Sequence, residues 1–228
     1  MRSLRRGVVV VAVAAFLGTA VPGASVAAPG AVTVAEQVRT EVAGPVDPAD
    51  PTRPGPLTAQ DVQALALPSY QQWVADVTAV TDQAAAFLRT RLPDASGART
   101  AIVLDIDNTA LQTSYRPGLT SPATPGVLEL ARIAEDAGAD VFFVTARPEI
   151  LRGQTVYNLD RAGYPRDGLY MRGWFDFRSD EALKTANRRA IEARGYTIVA
   201  NIGNNVHDLV GGSAERTFKL PDYDGQLS

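Results

Sequence analysis

The sequence predicts an α/β domain built on a doubly wound parallel sheet, preceded by a sorting segment and a proline-rich stretch. Three observations lead there. The run Ala101 to Leu104 is apolar throughout and partly β-branched, the pattern of a strand covered on both faces. Helical periodicity alternates with such runs from residue 70 onward. Polar residues gather directly after the apolar runs, where a parallel sheet opens its ligand crevice.

Residues 1–27 begin with Arg2, Arg5 and Arg6, continue through the apolar run Val8 to Leu17, and reach small residues at Ala24, Ser25, Val26 and Ala27. This order is that of a secretory signal peptide. The apolar run is shorter than the ~20 residues of a bilayer-spanning helix, which favours cleavage after Ala27 over a retained anchor. The mature protein is therefore expected outside the cell with no membrane span. The Arg5-Arg6 pair leaves both the general and the twin-arginine export routes open. Residues 28–56 hold Pro29, Pro45, Pro48, Pro51, Pro54 and Pro56 and few large apolar side chains. Such a stretch buries too little surface to offset its ordering entropy, so a flexible linker is expected, with room for a short helix around Val34 to Val42. The folded domain is expected over 57–228.

Between Tyr70 and Leu92, Trp73, Val77, Val80, Ala84, Phe87 and Leu88 recur mostly three and four apart, predicting an amphipathic helix that Pro93 ends. The strand Ala101 to Leu104 follows. A helix over Gly126 to Ala137 leads to a strand Val141 to Val144, and a helix over Glu149 to Ala162 to a short strand at Leu169 to Met171. A helix over Asp180 to Arg194 leads to a strand Thr197 to Ile202, and a last short strand fits Thr217 to Leu220. No internal repeat is visible.

Composition removes several chemistries. With no cysteine, the chain has no disulfide, thiolate metal site, thiol nucleophile or lipidated cysteine. Its single histidine, His207, rules out a multi-histidine zinc cage. A formal charge of −3 excludes a strongly basic binder of nucleic acid polymers. Oxygen-ligand chemistry remains. Of the 22 basic residues only Lys184 and Lys219 are lysine, so a lysine near a strand end carries more information than usual.

The first strand ends in Asp105, Ile106, Asp107, Asn108 and Thr109. Residues two apart on extended backbone share a side, so both carboxylates can enter the crevice while Ile106 turns to the apolar layer. Two acids there are costly without compensation, and a hard cation such as Mg2+ with oxygen ligands supplies it. The bland alternative, a turn cap, requires no such pair of acids. The second strand runs into Thr145, Ala146 and Arg147: a hydroxyl, backbone N–H groups at an expected helix start and a guanidinium form a donor set for phosphate. Taken alone, Thr145 is equally a helix cap and Arg147 a surface residue. Lys184 lies early on the helix before the fourth strand, where an ammonium would neutralise charge developing in a transfer reaction; a solvated helix face is its other reading. The fourth strand ends in Asn201, Ile202, Gly203, Asn204, Asn205, Val206, His207 and Asp208, an amide and an acid four apart. His207 reads as a solvated loop residue.

The strings VLDIDNTAL (Val103 to Leu111) and FFVTARPE (Phe142 to Glu149), then Lys184, then GNNVHD (Gly203 to Asp208) resemble the four motifs of the haloacid dehalogenase (HAD) superfamily. More closely they resemble its subfamily IIIB of secreted acid phosphatases, which includes plant acid phosphatases and bacterial class B enzymes. The resemblance runs over Tyr70 to Leu220, supported by Arg152, Thr155, Asn158, Leu159 and Gly163-Tyr164. It implies a Rossmann-like core with an N-terminal helical extension, and hydrolysis of small phosphomonoesters. Asp105 would be the nucleophile that becomes an aspartyl phosphate, and Asp107 the acid and base. Thr145 and the Ala146 amide would hold the phosphoryl oxygens, with Arg147 at the substrate, and Lys184 would steady Asp105. Mg2+ would be bound by Asp105, the Asp107 carbonyl and the fourth loop, through Asn204 or Asp208.

One residue departs from the pattern: the family places aspartate after the glycine of the fourth motif, and here Asn204 stands. An amide brings no charge, so weaker Mg2+ binding is expected unless Asp208 contributes. The segment Gln112 to Pro125 between the first two motifs is too short for a large cap, which leaves the crevice open. Two alternatives accompany the phosphatase reading: phosphoryl transfer to an alcohol other than water, and a catalytically weak phosphate-binding or storage relative, motivated by Asn204.

Overall fold

The computed structural model describes residues 67–93, 97 and 99–227. The expected signal peptide, the linker with its helix around Val34 to Val42, and residues 57–66 lie outside the described residues. The strands are β1 (Thr100–Leu104), β2 (Asp140–Pro148), β3 (Gly168–Arg172), β4 (Thr197–Gly203) and β5 (Arg216–Lys219). Every pairing among them is parallel, and the spatial order is β3-β2-β1-β4-β5. The helices are α1 (Tyr70–Arg91), α2 (Pro125–Asp136), α3 (Arg152–Ala162), α4 (Asp180–Ala193) and the single turn α5 (Val206–Leu209). The chain visits one side of β1 first and then the other, so the strand order reverses at β1, and its carboxyl end is where such sheets bind ligands.

Alternation along β1 distributes the core. Ile102 and Leu104 join the larger apolar cluster with Trp73, Val77 and Leu88 of α1 and Val127 and Leu130 of α2. Ala101 and Val103 face the other way, into a smaller cluster with Phe142 and with Ile191 of α4. Asp105 continues the parity of Val103 and so turns toward α4, while Ile106 returns to the larger cluster. Helix α1 starts at Ser69, whose hydroxyl accepts from the Gln72 N–H, and presents a buried stripe from Trp73 to Leu88. It packs so closely on α2 that a Cβ at Gly126 would stand 2.2 Å from Thr81 Oγ1.

All five expected strands and the four long helices form, most of them within a residue or two of their expected bounds. The exception is informative. Strand β2 continues through Thr145, Ala146 and Arg147 to Pro148, so these residues are extended and do not open a helix. Proline disfavours helical backbone at the residue before it, Pro148 itself is extended (φ −68°, ψ 147°), and it pairs with Arg172 of β3. A 3-10 turn, Glu149–Leu151, intervenes before α3. Between β1 and α2 the chain forms only isolated bridges, Asp107 with Leu111 and Leu111 with Ala123, and builds no cap domain.

Candidate active site

The first loop is shaped by backbone bonds before any side chain acts. Asp105 N–H donates to the Ile202 carbonyl at 3.0 Å, keeping Asp105 in register with β4, and the Ile106 carbonyl then accepts from Leu111 N–H at 2.8 Å to fold the chain back. Asn108 occupies the left-handed region at φ 53°, which asparagine tolerates because its short polar side chain bonds locally. Its Oδ1 accepts from the Ser114 N–H at 2.8 Å, and its Nδ2 donates to the Leu227 carbonyl at 2.8 Å.

Five elements then converge on one crevice of about 360 Å3, lined by Asp105, Asp107, Thr145, Ala146, Lys184 and Asn204 among others. Lys184, one turn into α4, is buried and donates to Asp105 Oδ1 at 2.8 Å and to Asp208 Oδ1. Arg147 holds both oxygens of Asp107 in a fork, Nε to Oδ2 at 2.8 Å and Nη2 to Oδ1 at 2.7 Å. Thr145 is buried, and its Oγ1 accepts from the Arg147 N–H at 3.1 Å, which leaves the hydroxyl proton for a ligand.

The fourth loop is fixed by a capping box on α5: the Asn205 side chain accepts from the His207 N–H, and Asp208 Oδ2 accepts from the Asn205 N–H at 2.8 Å. With Oδ1 on Lys184, both carboxylate oxygens of Asp208 are engaged. The approach is possible only beside glycine, since a Cβ at Gly203 would lie 2.3 Å from Asp208 Cβ. Asn204 is buried, donates Nδ2 to the Leu227 carbonyl at 2.9 Å and accepts from Thr109 Oγ1 at 3.2 Å.

Charge in the crevice is unbalanced. Four carboxylates line it, Asp105, Asp107, Asp180 and Asp208; Asp180 is paired with Arg172, and the other three face two cations, Lys184 and Arg147. Burial first, and then the Asp208 charge, push the Asp105 carboxyl up to about 7 despite the Lys184 ammonium beside it. Burial pulls the Lys184 ammonium down, but Asp105 and Asp208 outweigh it, and the group stays well above the usual lysine value. Among the described residues no three acidic or histidine side chains gather as a ready-made metal cage. The donor set nonetheless suits a hard cation that keeps most of its water: the Asp105 oxygen not taken by Lys184, the Asp107 carbonyl, the Asn204 amide oxygen, and a surplus negative charge to neutralise.

The structure thus brings Asp105, Asp107, Thr145, Ala146, Arg147, Lys184, Asn204 and Asp208 to one crevice. Two of them stand differently from the sequence expectation. Arg147 lies on Asp107, and Asp208 anchors Lys184 and caps α5. Half-exposed His207 lines the crevice, its Nδ1 3.9 Å from Glu181. Sequence reading missed Arg188 and Leu227. Arg188, fully buried, donates Nη1 to the Asp208 carbonyl and Nη2 to the Val210 carbonyl, fixing the fourth loop from below. Its signal was its place four residues after Lys184, in the buried stripe with Leu183 and Ile191.

Residues 118–226 match the family model described as HAD superfamily, subfamily IIIB (acid phosphatase), a stretch that starts beyond Asp105 and Asp107. Acid phosphatase 1 of Solanum lycopersicum is 37% identical over 106 residues, 45% of this chain and 42% of that protein. The stem 28 kDa glycoprotein of Glycine max is 34% identical over 45% of this chain and 42% of its own length. Vegetative storage protein 2 of Arabidopsis thaliana is 29% identical over 46% and 40%. The chain therefore spans less than half the length of these curated relatives. Among solved structures, the class C acid phosphatase from Bacillus anthracis superposes with a TM-score of 0.55 at 22% identity, covering 67% of this chain and 71% of that one, a likeness of fold. Over residues 118–226 this chain is similar to the subfamily IIIB acid phosphatases of the HAD superfamily, the family its four motifs resemble.

Proposed function

We propose that this chain is an exported, Mg2+-dependent phosphatase that hydrolyses phosphomonoesters through an aspartyl phosphate on Asp105. The observation that carries the reading is the Lys184 ammonium shared by Asp105 and Asp208 at the floor of a crevice walled by Asp107 and Thr145. A domain that only bound phosphate would gain nothing from two acids held in this costly arrangement. Domain bounds are proposed as 1–27 for the signal peptide, 28–56 for the linker and 57–228 for the phosphatase domain. No helix among the described residues is long and apolar enough to cross a membrane.

In this reading the substrate phosphoryl group enters between Asp105 and Thr145. The Thr145 hydroxyl and Ala146 N–H hold its oxygens, and Lys184 offsets the negative charge that builds up. Asp105 attacks phosphorus through one carboxylate oxygen, and the bond to the leaving oxygen breaks. Asp107 gives that oxygen a proton and later takes one from the water that cleaves the aspartyl phosphate. Incoming phosphate competes with Asp107 for the Arg147 fork, so substrate binding frees the Asp107 carboxylate, which takes up the proton of the substrate monoanion and passes it to the leaving oxygen. Mg2+, held by Asp105, the Asp107 carbonyl and Asn204, would neutralise charge and orient the nucleophile.

The test is hydrolysis of an aryl phosphate with Mg2+ and with excess chelator, beside Asp105→Asn. Turnover is expected to need the metal and to fall by roughly a thousandfold or more in the variant, because no second nucleophile stands at that position. Undiminished turnover by Asp105→Asn would overturn the mechanism. A storage role is the second reading, favoured by Asn204 and by relatives named as storage proteins; phosphate binding without turnover in the wild type would establish it.

A further inference from the structure

Exposed large apolar side chains are unevenly spread over the described residues. Apart from Leu67 and Tyr157, all of them lie in the segments that leave the carboxyl ends of the strands. Leu119 stands in the β1–α2 loop and Val206 at the first position of α5, between the crevice residues Asn205 and His207. Ile150 and Leu151 form the turn after β2. The β3–α4 loop carries three in four residues, Trp174, Phe175 and Phe177, at 68, 87 and 88% exposure. Strands β2 and β3 are neighbours whose last residues, Pro148 and Arg172, pair directly, so the turn after β2 and the aromatic loop leave the sheet side by side.

Single exposed apolar residues need no explanation, but several of them on neighbouring loops at the ligand-binding end of a sheet mark a binding surface. The loop is also held in shape. Arg172 donates Nη1 to the carbonyls of Asp176 and Arg178, at 2.9 and 2.7 Å, and Nη2 to Asp180 Oδ1 at 2.6 Å. Arg178 in turn grips the Asp176 carboxylate. The aromatic rings therefore stand in water on a braced frame. A second cavity, of about 370 Å3, shares Asp107, Thr113 and Arg147 with the first and reaches Leu151. A path thus runs from the acid that faces a leaving oxygen to the β2 side of the apolar rim.

We propose that this rim, centred on Trp174, Phe175 and Phe177 with Ile150 and Leu151, binds the leaving group of the substrate, and that the leaving group is hydrocarbon-rich. The substrate class is an amphiphilic phosphomonoester, its phosphate on the polar floor and its chain or ring on the collar. The assignment rests on the phosphatase reading above. The reaction is the same hydrolysis.

Trp174 is one of two tryptophans, and the other, Trp73, is fully buried, so changes in fluorescence on ligand addition report on the loop. The probes are n-alkyl phosphates from methyl to decyl, kept below micelle formation, with inorganic phosphate as control. Decyl phosphate is expected to shift the emission to shorter wavelength, and inorganic and methyl phosphate are not. Burying a methylene is worth a factor of about four, so kcat/KM is expected to rise at least tenfold from methyl to decyl phosphate. The ratio of decyl to methyl kcat/KM should collapse toward one in the Trp174→Ser/Phe175→Ser/Phe177→Ser variant, whose melting temperature confirms that it folds. Turnover that is independent of chain length in the wild type would overturn the assignment and leave the phosphatase reading standing. A length-dependent shift without turnover of any phosphate would support the collar and overturn the phosphatase reading. A third arm uses phosphatidylcholine vesicles with and without phosphatidic acid: co-sedimentation lost in the triple variant, with no chain-length effect on soluble substrates, would make the rim a membrane-docking surface and overturn the substrate assignment.

Discussion

Asn204 illustrates how one residue serves two requirements that pull apart. Seen in the sequence, it is a missing charge, and Asn204→Asp is the natural repair for cation binding. In the structure its Nδ2 donates to the Leu227 carbonyl, which also receives Asn108 Nδ2 from the first loop. An aspartate there sets an acceptor against an acceptor inside a buried site and adds a further carboxylate to the crevice. A buried acceptor left without its donor costs about 1–3 kcal/mol. Asn204→Asp is therefore expected to lower the melting temperature in chelator and to recover more than the wild type when Mg2+ is added, because the new charge strengthens cation binding. Thermal melts of both proteins with MgCl2 and with chelator check this. Equal melting in chelator would show that the Leu227 contact contributes nothing, and an equal gain from Mg2+ would mean that residue 204 does not face the cation.

Among the elements, the β3–α4 loop depends on a local ion pair network. The hydrogen bond from Arg178, above all, holds the Asp176 carboxyl at about 2, below the ordinary carboxylate value of about 3.9. A folded-state value below the unfolded one means that the brace is fully present above about pH 4 and is lost as pH falls through about 2. The Trp174 environment is accordingly expected to be constant from pH 7 to 5 and to change between pH 4 and 2. In Asp176→Asn, which cannot ionise, the acid-dependent step should vanish and backbone amides of the loop should exchange faster at pH 7. Fluorescence titration and hydrogen exchange measure the two effects. A wild-type signal flat down to pH 2 in a folded sample would remove the brace from the account.

At the scale of the whole molecule, what the sequence made legible was local in kind. The apolar run before Asp105 and the two-residue spacing to Asp107 needed only the parity of a strand, and the scarcity of lysine singled out Lys184. Thr145 to Arg147 line the crevice as expected but on a different backbone, because Pro148 extends the strand where a helix start was expected. Leu227 was illegible, since its role is a carbonyl brought 119 residues along the chain to Asn108, and no side-chain pattern announces that. Arg188 lies between these cases: a cation in an apolar stripe is visible, but its partners are carbonyls of a loop two elements away. It ties α4 to the fourth loop, and through Asp208 to Lys184, so its removal tests whether site and fold are one unit. Arg188→Met keeps most of the volume and removes the two charged donors, leaving the Asp208 carbonyl to Asn201 Nδ2 and the Val210 carbonyl to Thr185 Oγ1; two lost charge-assisted hydrogen bonds cost about 3 kcal/mol. For a domain of this size that is a fall in Tm of roughly 6–12 °C. Urea unfolding should show a lower midpoint at unchanged slope, the sign of lost stability without a change in the surface exposed. If instead the midpoint holds, water has replaced the guanidinium beneath the loop, and the buried arginine is dispensable to the fold.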